Sequence, residues 1–394
     1  MSRFLKVMIV LLAIAAMATP VMAEDMLSLG GQMRVRGWYQ DHDLDSTNSF
    51  IDQRLRIGGK LSVAEGVSIT FRTDFSEQSW GSNAPYGRTG WQLDRSHLDL
   101  DFSAFHLRAG QLYAGYGLTQ VVNSESTGAK FDLKAIPLSV FFILNDDNDE
   151  DSDAYLYAAN YALKADAFNA NFIAAGQKDG GLEDVMLFSA DMTMNIDAVK
   201  VSAELDYFTG DDADGGDAIG TQFFADVAFA ASEAMTVGGQ FYYAKGTDEN
   251  DETQYTYLGN DFNGYDPFMD IGTGLSNEQN NFNRPFDLGT ALLNNFDSDI
   301  LDGDVVSTGV MAARLYVNSK VSDALALGGA FTYAEPDEDF GVFDSAMFYT
   351  VGMTYALMSN TSIHAQVEYV DLDQDLDDDV SSFILGGVGL FVNF

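Results

Sequence analysis

Arginine and aspartate recur at two-residue spacing through the first third of this 394-residue chain. Arg34 and Arg36 are two apart, as are Arg54 and Arg56, and Lys60, Arg72, Arg95 and Arg108 continue the series. Asp52, Asp74, Asp99 and Asp101 are interleaved with them, and Lys130, Asp132 and Lys134 follow. A spacing of two places residues on one face of a β-strand. The planar guanidinium grips a carboxylate with two parallel hydrogen bonds, so such a face suits two tasks. It can attract and sort anions through a field across a narrow passage, or it can stitch neighbouring strands together. A second set, Asp191, Glu204, Asp206, Asp226 and Glu368, has few cations near it in sequence. Eleven of the eighteen basic residues after position 23 precede Ala135. The expectation is one mixed wall of net positive charge and another that is acidic.

Other chemistry is sparse. Of the four histidines only His97 and His106 are neighbours, beside Asp99, and no Ser-His-Asp spacing accompanies them. General acid-base work needs a nucleophile and an orienting group in reach, so these histidines are expected to serve as hydrogen-bonding groups and not as an enzyme site. The absence of cysteine removes disulfides, thiolate zinc sites, iron-sulfur clusters and thiol nucleophiles, and no cofactor is expected. With 20 Lys and Arg against 60 Asp and Glu, the net charge of −40 opposes nucleic-acid binding.

The elements that carry these side chains follow from periodicity. Val199 to Tyr207 places Val, Val, Ala, Leu and Tyr on one face and Lys, Ser, Glu and Asp on the other. Leu55 to Val63, Val67 to Phe75, Met235 to Tyr243, Tyr349 to Leu357 and Thr361 to Tyr369 alternate in the same way, and about eighteen such segments can be counted. Tight turns separate them at Ala64–Gly66, Ser103–Ala104, Ala135–Pro137, Lys164–Asp166, Asn195–Asp197, Ala231–Glu233, Ser322–Ala324 and Met358–Asn360. Between the turns lie long polar connections, at Asp146–Asp153, Gly210–Ala218, Gly246–Asp304 and Asp371–Asp379. Short turns at one end and long loops at the other describe an all-β, antiparallel, up-and-down transmembrane barrel of about 18 strands, with 16 as the alternative. Eighteen strands enclose too wide a lumen for side chains to fill, so the apolar face points outward into lipid and the charged face lines the interior. By the same parity Phe102, Phe105, Phe168 and Phe229 ring the turn end, and Tyr39, Phe75, Tyr207, Tyr243 and Tyr369 ring the loop end.

Residues 1–23 carry Arg3 and Lys6, an apolar run from Val7 to Ala18, Pro20 and a small-residue end at Ala23, the pattern of a cleaved signal peptide. Residues 24–394 then form a single domain interrupted by the loop 246–304. That loop's Tyr255, Tyr257, Leu258 and Phe262 suit packing into the barrel mouth.

The last strand ends Leu390-Phe391-Val392-Asn393-Phe394, with an aromatic C-terminus. With the leader and the turn and loop alternation, the chain resembles a bacterial outer-membrane porin. That resemblance implies a place in the Gram-negative outer membrane, with lipid and lipopolysaccharide around the barrel. It further implies that Phe394 is a signal read by the barrel-assembly machinery, and a homotrimer is the assembly frequent among porins. Arg34-Val35-Arg36-Gly37, Gln53-Arg54-Leu55-Arg56, Ser79-Trp80-Gly81, Asp94-Arg95-Ser96-His97-Leu98-Asp99 and Leu107-Arg108-Ala109-Gly110-Gln111 are similar to the alginate-export-like family of eighteen-stranded barrels. That likeness covers residues 27 to 135 and implies passage of an anionic polysaccharide. Ala109-Gly110-Gln111 departs from that family's Gly-Arg-Gln, which favours a general porin. The acid-dense loops lack the Gly and terminal Glu of an EF-hand, so they read as solvated segments bridged to lipopolysaccharide phosphates by divalent cations, with no metal site of their own. Three functions stay open: passive diffusion of ions and small hydrophilic solutes, a channel specific for an anionic saccharide or organic acid, and a non-conducting structural or adhesive barrel.

Overall fold

Alternation of period two runs through nineteen strands. The computed structural model describes residues 26–42, 45–80, 91–146, 154–179, 183–212, 216–247, 252–259, 309–337, 343–374 and 382–394. The leader 1–23, most of the loop 246–304 and most of the acidic loop runs lie outside the described residues. The strands are β1 (Leu27–His42), β2 (Asp45–Ala64), β3 (Val67–Trp80), β4 (Trp91–Asp101), β5 (Phe105–Tyr116), β6 (Val122–Leu133), β7 (Leu138–Asp146), β8 (Ala154–Lys164), β9 (Phe168–Asp179) and β10 (Glu183–Ile196). They continue with β11 (Val199–Asp211), β12 (Asp217–Ser232), β13 (Met235–Ala244), β14 (Glu252–Gln254), β15 (Val310–Lys320), β16 (Leu325–Glu335), β17 (Phe343–Met358), β18 (Thr361–Gln374) and β19 (Ser382–Asn393).

Eighteen of these form one closed ring, each antiparallel to its neighbours. The exception is β14, three residues that pair in parallel with Asp217–Ile219 of β12. Closure leaves no edge, the condition for a sheet in hydrocarbon, where an unpaired backbone group has no water to bond. Among the described residues no helix is long and apolar enough to cross a membrane.

The eight tight turns share one end of the barrel with the start of β1 and the end of β19. Gly66 occupies its turn at φ +71°, and Asp197 takes φ +50° in the β10–β11 turn. In the β15–β16 turn Lys320 lies 2.9 Å from Asp323 and holds that carboxyl below its usual range by hydrogen bond and charge. At the other end the connections are less uniform than the polarity of Gly210–Ala218 suggests. Strands β11 and β12 extend to Asp211 and Asp217, because Gly210 still pairs with Ala218 and Asp212 caps the turn by accepting the Gly216 N–H. Polar composition there marks a hydrated hairpin tip and not a long loop.

The ring closes on its last residue. Gly31 N–H donates to the Phe394 carbonyl at 2.8 Å, and Phe394 N–H donates to Gly31 O at 3.0 Å. The Phe394 ring lies over Gly31, where an added Cβ would meet its Cζ at 2.6 Å and would also collide with the Arg56 carbonyl. Gly31→Ala is therefore expected to weaken the barrel by about 1–3 kcal/mol through overpacking at the seam. A lowered urea midpoint of the refolded protein is the readout, and an unchanged midpoint would show that the seam tolerates a methyl group.

Burial alternates as a barrel in lipid requires. Gln32, Arg34, Arg36 and Trp38 are buried toward the interior, whereas Leu27, Leu29 and Tyr39 on the other parity are exposed. Phe102, Phe168 and Phe229 are exposed near the turns, and Tyr39, Tyr207 and Tyr369 near the loops. Phe105 and Tyr243 are half-buried on the same exterior face. Phe105 stacks between Phe102 and Phe131 at 4.8 and 5.8 Å, and the Tyr243 hydroxyl donates to Asp337 at 3.1 Å.

Candidate functional site: an arginine wall facing an inner strap

Register brings the arginines together. Arg34 lies opposite Arg54, Arg36 opposite Asp52, Arg56 opposite Asp74 and Arg72 opposite Arg95, all with inward parity. The Arg36 fork holds Asp52 through Nε at 2.8 Å and Nη2 at 2.7 Å, and the Trp38 indole N–H donates to the same carboxylate at 2.7 Å. Arg56 holds Asp74 in the same way at 2.7 and 2.8 Å, with Arg54 at 3.9 Å behind it. Asp94 is the third node and takes Arg72, Arg56 at 3.4 Å and Arg95 at 3.2 Å. Arg95 also lies 4.7 Å over the Tyr113 ring. Arg36, Arg54, Arg56, Arg72 and Arg95, on β1 to β4, thus share Asp52, Asp74 and Asp94.

Exposure decides which sign a solute meets. The arginine side chains keep 15% (Arg56), 19% (Arg72) and 24% (Arg95) of their surface accessible, against 5% for Asp52, 9% for Asp74 and 5% for Asp94. Arg56, Arg72 and Arg95 are thus more accessible than the carboxylates that hold them, whereas Arg36 and Arg54 are as buried as theirs. The series continues toward the turns, where Asp99 takes His97 at 3.6 Å, His106 at 3.5 Å and Arg108 at 3.9 Å, and accepts the Thr70 hydroxyl at 2.7 Å. Arg108 reaches Asp132 at 3.4 Å, and Asp101 pairs with Lys134 at 2.6 Å in an exposed position. Lys60, near the turn end of β2, is exposed on the inward parity. The two histidines and the Thr70 hydroxyl are spokes around one carboxylate.

Asp94 was not distinguishable by strict alternation, which puts Arg95, His97 and Asp99 inward and Asp94 outward. A bulge in β4 opposite Arg72 and Thr73 turns both Asp94 and Arg95 to the interior. The signal is an odd interval: Leu93 and Leu98 both face outward, and five residues cannot separate two positions of one face unless an extra residue intervenes.

The acidic set is arranged differently from the expected open acidic wall. Asp191, Glu204 and Asp206 do point inward, but they are 6%, 1% and 0% exposed. Glu204 is met by residues 117–121, the connection from β5 to β6, which folds into the barrel and reaches β11. There Glu204 accepts the backbone N–H of Leu118, the N–H of Thr119 at 3.1 Å and the Thr119 hydroxyl at 2.9 Å. Residues 252–259 join this strap: Leu258 N–H donates to Val121 O, and Asn123 N–H donates to Leu258 O, both at 2.8 Å. Tyr255 N–H donates to Ile219 O at 2.7 Å, Gln222 Nε2 to Thr256 O at 2.6 Å, and Gly259 N–H to Gln177 at 2.8 Å. The described start of the long loop therefore lies inside the barrel.

Apolar residues make this possible. Phe141, Ile143, Leu156, Ile173, Val185, Leu187 and Phe208 have inward parity near the loop end, where water-filled lumens carry polar groups, and they pack against Val121 and Leu258. Of the remaining acids, Asp226 accepts the Tyr316 hydroxyl at 2.9 Å. Glu368, 1% exposed, accepts the Thr350 hydroxyl at 2.7 Å. Arg314, fully buried on β15, faces inward in alternation with the outward Leu315 and Val317. Arg314 lies far outside the arginine-rich first third, and parity is the signal that places it inward.

No protein-family model matches the chain, and no curated protein does. Solved structures do. Pseudomonas aeruginosa OpdO superposes with a TM-score of 0.63 at 12% identity, covering 94% of this chain and 97% of that one. OccK11 (OpdR) of the same organism gives 0.60 at 10% identity over 94% and 96%, and Acinetobacter baumannii OccAB3 gives 0.57 at 11% over 93% and 99%. At these identities the likeness is one of fold, and the fold is the closed eighteen-stranded barrel of Gram-negative outer-membrane porins.

Proposed function

We propose that the protein is a channel of the Gram-negative outer membrane, passing small hydrophilic solutes and favouring those that carry a carboxylate. The observation that carries this reading is the projection of Arg56, Arg72 and Arg95 beyond the carboxylates that anchor them. A solute carboxylate passing this wall exchanges hydration for charge-assisted bonds to guanidinium groups spaced along its path. Burial of Asp191, Glu204, Asp206 and Glu368 removes the charges that would oppose it. The barrel's neighbours are outer-membrane porins, which supports a channel. No catalytic step and no cofactor belong to this reading. Lipid, lipopolysaccharide and the assembly machinery are its partners in that setting.

A second reading draws on the two forked pairs, Arg36–Asp52 and Arg56–Asp74, which would stitch strands in an unselective diffusion porin. Competition separates the two. In a planar bilayer, millimolar glucuronate is expected to reduce chloride current through the open channel while equimolar glucose leaves it unchanged. Equal effects of both sugars would favour the unselective porin.

A further inference from the structure

We propose that Glu204 is a positioning residue for the constriction, holding the inner strap through its carboxylate charge. The inference rests on the channel reading for its consequence and on geometry alone for the contact. Residues 117–121 carry no charge, and they present two backbone N–H groups and one hydroxyl to a single carboxylate on β11, five strands round the wall from β6. Gly117 takes φ +85°, and a Cβ there would meet Glu204 Oε1 at 2.6 Å, so the strap is shaped to approach this carboxylate. Gln120 adopts φ +56°, a left-handed turn that returns the chain to β6.

The surroundings make the contact depend on charge. Asp191 lies opposite Glu204 on β10, and Asp206 lies two residues further along β11. From β12 the inward positions are Gln222, Phe224 and Asp226, and from β13 the hydroxyl of Tyr242 is spent on Gln222 at 2.6 Å. Neither oxygen of Asp206 makes a well-formed hydrogen bond, although Ser189 and Glu204 are beside it. Among the described residues no cation forms an ion pair with Asp191, Glu204 or Asp206. The strap's N–H groups are thus the principal positive ends presented to Glu204. An ionised Glu204 accepts all three bonds; a protonated one gives up acceptor strength and the strap loosens. The aperture is then set by the protonation of a residue that the permeating solute does not touch.

The test uses the strap as its own reporter. Val121 is fully buried beneath Leu258, and the chain has no cysteine, so Val121→Cys provides a single thiol that a water-soluble maleimide reaches only when the strap lifts. Folding of each variant is first checked by its heat-modifiable band. At mildly alkaline pH, adding Glu204→Gln is expected to raise the labelling rate about tenfold, the loss of a hydrogen bond to a charged acceptor. The ratio of the two rates should fall toward one on acidification, because the parent then carries a neutral Glu204 as well; taking the ratio cancels the thiol's own titration. A ratio of one at every pH overturns the proposal, and a raised ratio that ignores pH overturns its dependence on charge. If Glu204→Gln fails to fold, Thr119→Val, which removes only the hydroxyl donor, must raise labelling by a smaller factor, and no increase there is equally contrary. In bilayers Glu204→Gln should add flicker to the current. A parent protein that carries no current would sink the channel reading and leave the labelling result standing.

Discussion

Replacing Arg72 and Arg95 together with glutamine is expected to move the channel from anion preference toward cation preference without unfolding it. Both guanidinium groups project from the wall, and their shared partner Asp94 keeps Arg56 at 3.4 Å after they are gone. In water-filled surroundings a unit charge about 4 Å away is worth about 1 kcal/mol, roughly fivefold in the partition of a monovalent ion per charge removed. Anion entry and cation exclusion both weaken, so the permeability ratio should change by more than either factor. The reversal potential in a salt gradient reads this ratio directly. A ratio unaltered by both substitutions would place the selective region elsewhere in the barrel.

The second large effect falls on stability. Asp74→Ala removes the carboxylate gripped by Arg56 and approached by Arg54, and Arg54 is only 5% exposed. Taking one partner from a buried ion pair costs up to about 3–5 kcal/mol, of which Asp94, 3.4 Å from Arg56, offsets a part. The urea midpoint of the refolded barrel should drop accordingly. Asp101→Ala, which breaks an exposed pair with Lys134, should leave the midpoint where it was. Equal midpoints for the two variants would mean that the buried aspartates are not structural anchors.

These two outcomes also separate the roles that a guanidinium face could play. Asp52, Asp74 and Asp94 hold guanidinium groups of Arg36, Arg56, Arg72 and Arg95, and the accessible parts of Arg72 and Arg95 are the ones left to meet a solute.

Strand number, closure and the positions of all eight turns were legible because each rests on local chemistry: period two along the strand and small or polar residues at the turn. The inward placement of Arg34, Arg36, Arg54 and Arg56 follows from the same parity. Asp94 escaped because a bulge breaks parity, and only the odd Leu93 to Leu98 interval records it. The packing of Tyr255 and Leu258 into the barrel was legible, whereas the 117–121 part of the strap was not. Gly117 to Val121 reads as a short connection, and its path across the lumen is fixed by Glu204, more than eighty residues away, and by an apolar inner surface on β6 to β12 that parity alone assigns to a watery interior. The same long-range contact converts Glu204 from expected pore lining into a covered group, and Asp191 and Asp206 beside it are buried as well. Local pattern determines which face a residue takes, whereas coverage of that face is a tertiary fact.

The account turns on the sign of the charge at the narrowest accessible region. The measurement that tests it most directly is the reversal potential of single channels of the refolded protein in a planar bilayer under a tenfold potassium chloride gradient. Stable ohmic steps with chloride preferred over potassium are the expected result, despite the acidic composition. Potassium preference would contradict the arginine wall as the selective element, and a folded barrel that passes no current would contradict the channel itself.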